Sequence, residues 1–147
     1  MRNSTSTPEN MPVANPGGTA VSRYAAAWLA GDRQVMLGCY HEDFTLHYFG
    51  RNPLAGVHRG KQAALGILGE VARRTDRKLV GIIDVMTGPE RSAILVRELF
   101  ARNGKTAEVE RLLVYSVRDG LLDHCWVYDQ DQSLVDEFLA GTDPTIG

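Results

Sequence analysis

The chain has 147 residues, with sixteen basic and eighteen acidic side chains and a formal net charge of −2. That length suits one domain, and the lack of a basic excess argues against a protein that lives on phosphate contacts to nucleic acid. No apolar run approaches the ~18–20 residues that cross a bilayer. The opening MRNSTSTPENMPVANPGG lacks the apolar centre of a secretion signal, so a cytoplasmic protein is expected. Cys39 and Cys125 have neither CxxC nor zinc spacing and read as buried, reduced thiols.

Residues 1–18, rich in Ser, Thr, Asn, Pro and Gly, read as a mobile tail, and the domain as residues 19–139, followed by a second tail over 140–147. Thr19 can cap a first helix, in which Val21, Tyr24, Ala25, Trp28 and Leu29 recur on one face. Gly31 stops it. Asp32 caps a short second helix running through Tyr40, with Val35, Met36, Cys39 and Tyr40 as its buried side. A first strand covers residues 44–49, and the Gly/Pro-rich stretch GRNPLAGVHRG reads as a loop. A third helix runs from about residue 61 to 74 and carries Ala64, Leu65, Leu68, Val71 and Ala72 on its apolar stripe. Arg73, Arg74, Arg77 and Lys78 at its end read as a solvated basic surface.

Strands over residues 79–86, 93–102, 106–118 and 121–128 form a meander joined at Gly88-Pro89, Asn103-Gly104 and Asp119-Gly120. The last two junctions are type I′ hairpin signals, because both central residues must take positive φ. A closing helix from Asp131 buries Leu134, Val135 and Phe138. Helices first and an antiparallel meander after them make an α+β fold, with helices on one face of a curved sheet. Around residues 93–101 both alternating sets, Ile94/Val96/Phe100 and Ala93/Leu95/Leu99, are apolar. The outer face therefore needs a cover, and a homodimer through that face is expected.

Two-residue turns place partners whose numbers sum to 207 across Asn103-Gly104 and to 239 across Asp119-Gly120. Directly opposed residues share a face. One face then collects Glu98, Arg111, Leu113, Tyr115, His124, Trp126 and Tyr128, and the other Arg97, Glu110, Leu112, Val114, Cys125, Val127 and Asp129. A three-residue turn at Asn103–Lys105 would instead bring Arg97 to the first face and expel Glu98. Aromatics mixed with Glu, Arg and His suit a concave small-molecule pocket, and the same set also suits a core with satisfied ion pairs. No histidine or carboxylate cluster has metal-ligand spacing, so no metal is expected, and the Gly50–Gly60 stretch lacks the lysine and hydroxyl spacing of a P-loop.

The segments RYAAAWLAGD, YHEDFTLHYFG, PLAGVHRG and VRDGLLDHCWVYD, in that order, resemble the nuclear transport factor 2-like superfamily. The resemblance is to its SnoaL-like branch, alongside ketosteroid isomerase and limonene epoxide hydrolase, over residues 19–139. It implies a conical half-barrel: a curved, mostly antiparallel sheet around three N-terminal helices, with a short C-terminal helix, a pocket under the helices, and pairing through the sheet. Tyr24, eight residues before the Asp32 of the AGD turn, matches the isomerase tyrosine that donates to an enolate oxygen. Tyr48 stands where that enzyme has its base and Leu113 near its protonated acid, so steroid isomerisation is not implied. For the epoxide hydrolase, Arg97 is similar to the essential arginine, but Tyr128 occupies an acid position. SnoaL-like cyclases place a His and an Asp on or beyond the last strand, which His124, Asp129 and Asp131 resemble in type.

The fold hosts isomerases, hydrolases, cyclases and binding proteins, so function must come from the site. The first reading is an enzyme doing acid/base chemistry, without cofactor or metal, on an apolar carbonyl or ring-containing substrate. Tyr24 would donate to oxygen and His124 or Asp129 would move the proton. Trp28, Tyr48, Glu98, Arg111, Leu113, Tyr115, Trp126 and Tyr128 would line the pocket. The second is a non-catalytic protein binding an apolar ligand there, and the third a dimeric interaction module.

Overall fold

The computed structural model describes residues 16–140. Of the expected tails over 1–18 and 140–147, residues 1–15 and 141–147 lie outside the described residues. Helix α1 (Pro16–Ala30) begins three residues before Thr19 and stops where Gly31 turns at φ +70. Helix α2 (Arg33–Gly38) is capped by Asp32, whose side chain accepts the Val35 N–H at 3.2 Å. It ends short of the expected Tyr40, because Tyr40 already opens strand β1 (Tyr40–Tyr48). The presumed loop contains a short strand, β2 (Gly56–Arg59), antiparallel to β1. Helix α3 (Lys61–Thr75) closes on Asp76 in the left-handed conformation, φ 46.

Strands β3 (Lys78–Met86), β4 (Ser92–Arg102), β5 (Lys105–Arg118) and β6 (Leu121–Asp129) form the meander, and α4 (Gln132–Leu139) closes the chain under its Asp131 cap. The sheet order is β2-β1-β6-β5-β4-β3, with β1 and β6 parallel and the other neighbours antiparallel. Helices α1 and α3 lie on one face of this curved sheet. That face presents Ile94, Val96 and Phe100 of β4, all fully buried, against Val21, Phe44 and Val71. Among the described residues no helix is long and apolar enough to cross a membrane.

Both I′ turns are present, with Asn103 and Gly104 at φ 53 and 79 and Asp119 and Gly120 at φ 55 and 74. The β4–β5 register is the expected one: Arg97 opposes Glu110 and Val96 opposes Arg111, so Glu98 faces the helices. The β5–β6 register is the expected one only beside its turn, where Arg118 opposes Leu121 and Val117 opposes Leu122. A bulge then slips the pairing by one, and beyond it Ser116 opposes His124, Leu113 opposes Val127 and Arg111 opposes Asp129. Because side chains alternate along a strand, this slip inverts the expected faces of β6. His124, Trp126 and Tyr128 turn to the outer face, while Cys125, Val127 and Asp129 turn inward.

Candidate functional site

Under α1, α2 and α3 lies a hollow in two parts. The inner chamber, about 70 Å³, is walled by Tyr24, Trp28, Tyr40, Phe44, Leu113, Tyr115, Cys125 and Val127, and by the charged Arg77, Glu98 and Arg111. An adjoining mouth of about 490 Å³ shares Tyr24, Trp28, Met36, Tyr40, Leu68 and Arg77 with it and adds Arg33, Leu37, Leu65 and Ala72. The chamber has the volume of only two or three waters, at about 30 Å³ each in the liquid. The mouth is thus the roomier part of the hollow.

Three tyrosines meet at the chamber. The Tyr24 and Tyr40 hydroxyls are 2.5 Å apart and share a hydrogen bond, with their rings edge to face at 5.3 Å. The Tyr24 ring also lies 5.9 Å from Tyr115 and 6.0 Å from Trp28. Burial pushes the Tyr24 hydroxyl up to about 12 and holds those of Tyr40 and Tyr115 well above the usual tyrosine range. All three are proton donors at neutral pH. Within the Tyr24–Tyr40 pair one O–H serves the other oxygen, and the accepting tyrosine keeps its own proton to offer to a further oxygen. Burial also raises the Cys125 thiol to about 12, and Cys125 and Cys39 are both free and buried, as expected.

Below the tyrosines sits a buried charge cluster. Arg111 is 2% exposed. Its Nε donates to Asp129 Oδ1 at 2.6 Å and one terminal nitrogen to Asp129 Oδ2 at 3.2 Å; that same nitrogen donates to the Tyr48 hydroxyl at 2.6 Å. The other terminal nitrogen reaches Glu98 Oε1 at 3.4 Å. Burial works against the Arg111 charge, but Tyr48, Asp129 and Glu98 outweigh it and hold the guanidinium firmly protonated. The second Glu98 oxygen faces Arg77 Nε at 3.5 Å. Glu98 thus stands on the chamber wall between two guanidiniums.

Of the residues expected at the site, Tyr24, Trp28, Glu98, Arg111, Leu113 and Tyr115 do line the chamber. Tyr48 and Asp129 belong to the layer behind it, through Arg111. The bulge removes His124, Trp126 and Tyr128. On the outer face His124 Nδ1 lies 2.9 Å from His47 Nε2; the rings of His47 and His124 stack on Trp126 at 4.9 and 5.3 Å, and Arg91 covers the indole at 3.9 Å. Tyr128 is 45% exposed and packs on Phe49. His124 therefore cannot reach the space in front of Tyr24.

Sequence reasoning missed Arg77, placed in a solvated basic run, and Tyr40, placed on the buried side of the second helix without a polar role. The break at Asp76 is the signal for Arg77: the chain reverses there, and Arg77 follows the helix end inward while Arg73 and Arg74 bind Glu70 on the outside.

Residues 21–124 match the SnoaL-like domain family. The chain belongs to it. It is 28% identical over 122 residues to Rv0034, an uncharacterized protein of Mycobacterium tuberculosis, covering 82% of this chain and 93% of that one. It superposes on Bal32a, from a soil-derived mobile gene cassette, with a TM-score of 0.75 and 26% identity, over 86% of this chain and 98% of that one. A putative polyketide cyclase of Xanthomonas campestris shares the fold at a TM-score of 0.62 and 20% identity, over 84% and 96% of the two chains. Several solved NTF2-like proteins share the fold too, so the resemblance read from the sequence holds for the SnoaL-like family and for the fold.

Proposed function

We propose that this SnoaL-like protein is a small-molecule enzyme using acid/base chemistry of its own side chains on an apolar carbonyl or ring-containing substrate. The substrate sits in the mouth and points an oxygen at the Tyr24–Tyr40 pair. The observation that carries this reading is that pair: two hydroxyls 2.5 Å apart on the wall of a hollow, both protonated, with the Glu98 carboxylate on the same wall. Two coupled tyrosine donors suit an oxygen that gains negative charge, as in an enolate. Glu98 takes the proton-accepting role that the sequence suggested for His124 or Asp129. The cyclase-like neighbour is consistent with such chemistry.

The test is native mass spectrometry of freshly purified protein for a co-purified molecule, followed by thermal-shift and turnover assays with ketones, epoxides and polyketides. For a compound that turns over, Tyr24→Phe is expected to cost about 10²–10³ in kcat, and Glu98→Gln to abolish proton transfer while binding survives. A second reading, binding of an apolar ligand without catalysis, is favoured by the two guanidiniums beside Glu98, which suit an anchor as well as a base. Compounds that shift melting but never turn over would select it. We also infer that two copies pair through the outer face, where Ala93, Leu95 and Leu99 are only half-buried in one chain. A monomer by light scattering would exclude that pairing.

A further inference from the structure

We propose that the ligand of this hollow is an acid: an apolar, ring-bearing molecule whose carboxylate is taken by Arg77, with Arg33 at the rim. This rests on reading the hollow as a small-molecule site and names the substrate class of that site.

Three guanidiniums line the two parts of the hollow, Arg33, Arg77 and Arg111, against one carboxylate, Glu98, and no carboxylate lines the mouth. Arg111 is fully engaged with Asp129, Tyr48 and Glu98. Arg77 is not. Only its Nε approaches a carboxylate, at 3.5 Å, and its side chain makes no hydrogen bond among the described residues although it is 23% exposed. The chain fixes it there, since the Arg77 backbone N–H closes the α3 terminus on Ala72 O at 3.2 Å. Arg33 is exposed at the rim, and its guanidinium has no ion pair among the described residues.

A guanidinium offers five N–H donors in a planar fork that fits a carboxylate, and Arg77, with one long contact from its Nε alone, leaves the donors of its two terminal nitrogens without an acceptor among the described residues. Arg77 and Arg111 are balanced by Glu98 and Asp129, and the exposed Arg33 adds a further positive charge to a mouth lined by no carboxylate. Glu98 repels an anion from the inner end. The carboxylate therefore lies on the mouth side of Arg77, the ring lies against Trp28, Leu65 and Leu68, and the tyrosine pair remains free for a second oxygen.

Naphthalene-2-carboxylate and its neutral isostere, 2-naphthamide, are a matched pair of probes. They are titrated into the Trp126→Phe protein, in which Trp28 is the one remaining indole and reports on the hollow by fluorescence. The carboxylate is expected to bind at least about tenfold more tightly than the amide at low salt, with the preference shrinking as salt rises. Arg77→Gln should abolish the preference while leaving the amide affinity in place, and Arg33→Gln, at an exposed position that the fold tolerates, should reduce it about two- to threefold. Equal or tighter binding of the amide, or a preference untouched by Arg77→Gln, overturns the proposal and leaves the hollow as a site for neutral ligands. If neither probe binds and the neutral compounds tested above also fail, the reading of the hollow fails with it. If Arg77→Gln does not fold, the wild-type preference and its reduction of about two- to threefold in Arg33→Gln decide.

Discussion

Arg111→Met removes the one group that joins the buried charges to each other. The side chains of Arg111, Asp129 and Glu98 are 2–3% exposed, so water cannot replace what the guanidinium supplies. Asp129 loses both of its bonds from Arg111, the Tyr48 hydroxyl loses its donor, and Glu98 keeps only Arg77 at 3.5 Å. Stripping one partner from a buried ion pair costs about 3–5 kcal/mol, because the remaining charge stays desolvated. For a domain near 150 residues each kcal/mol lowers Tm by about 2–4 °C, so the variant should melt roughly 6–20 °C lower. Urea denaturation should show a lower midpoint at an unchanged slope. The triple variant Glu98→Gln, Arg111→Met, Asp129→Asn is the control. It has lost the same packing but leaves no fully buried charge without a partner, since Arg77 is 23% exposed, and should recover most of the deficit. A single variant within about 1 kcal/mol of wild type, or a triple variant less stable than the single, would refute the reasoning.

The outer face gives a pH test. Partial burial, then the neighbouring His124, Arg59 and Arg91, lower the His47 pKa below its usual 6.5. The unfolded chain therefore takes up the His47 proton at higher pH than the folded one. The neutral-side stability is whole above 6.5 and is lost as pH falls below that value and through the lower folded one. His47→Gln should reduce the drop in Tm between about pH 7.5 and about pH 5.5, and an unchanged drop would count against the pair. Gly50 sits at φ +112, and a Cβ there would come within 2.3 Å of Asp136 Oδ1 and Gln132 Nε2. Asp136 ties the loop to α4 by accepting from the Arg51 N–H at 3.0 Å and Asn52 Nδ2 at 2.7 Å. Gly50→Ala should cost about 1–3 kcal/mol by chemical denaturation, the strain of that backbone region plus the disturbed clamp. Asp131→Ala, which removes the cap on Leu134 N–H, should cost about 0.5–2 kcal/mol in the same assay.

Apart from the short strand Gly56–Arg59 and the start of β1 at Tyr40, the helices and strands were legible because their signals are local. An apolar stripe with Asp32 or Asp131 ahead of it, and Asn-Gly or Asp-Gly between alternating runs, need no knowledge of the rest of the chain. The face of each strand was legible only as far as its turn controls it. The Asn103-Gly104 hairpin keeps one register along its whole length, so Glu98 and Arg111 were placed correctly. The Asp119-Gly120 hairpin changes register within a few residues, and no local turn rule encodes that bulge. What could have revealed it is the demand of a buried arginine for a carboxylate. The turn rule sets Arg111 opposite Tyr128, whereas a slip of one residue sets it opposite Asp129. The apolar pattern agrees, since Leu122, Cys125 and Val127 are the buried residues of β6 and strict alternation cannot unite Leu122 with the other two.

That slip also explains why a charged cluster sits beneath an otherwise apolar hollow. Four engaged groups, Tyr48, Glu98, Arg111 and Asp129, occupy core positions that leucine or methionine would fill without desolvating any charge, and such replacements are often neutral or stabilising. Stability alone therefore gives no reason for the cluster. Its placement suggests one: Arg111 is clamped from behind by Asp129 and Tyr48, which leaves its remaining nitrogen to hold Glu98 at the chamber wall, and Arg77 lies 3.5 Å from the other Glu98 oxygen. On the proposed reading, a carboxylate flanked by two guanidiniums and lining the same chamber as a coupled pair of tyrosines is a preorganised polar site that needs little rearrangement when charge develops on a guest. The Arg111→Met and triple variants separate these contributions. Restoring stability with the neutral triple while leaving the hollow unable to bind or turn over its ligand is the outcome expected if the cluster is there for the site.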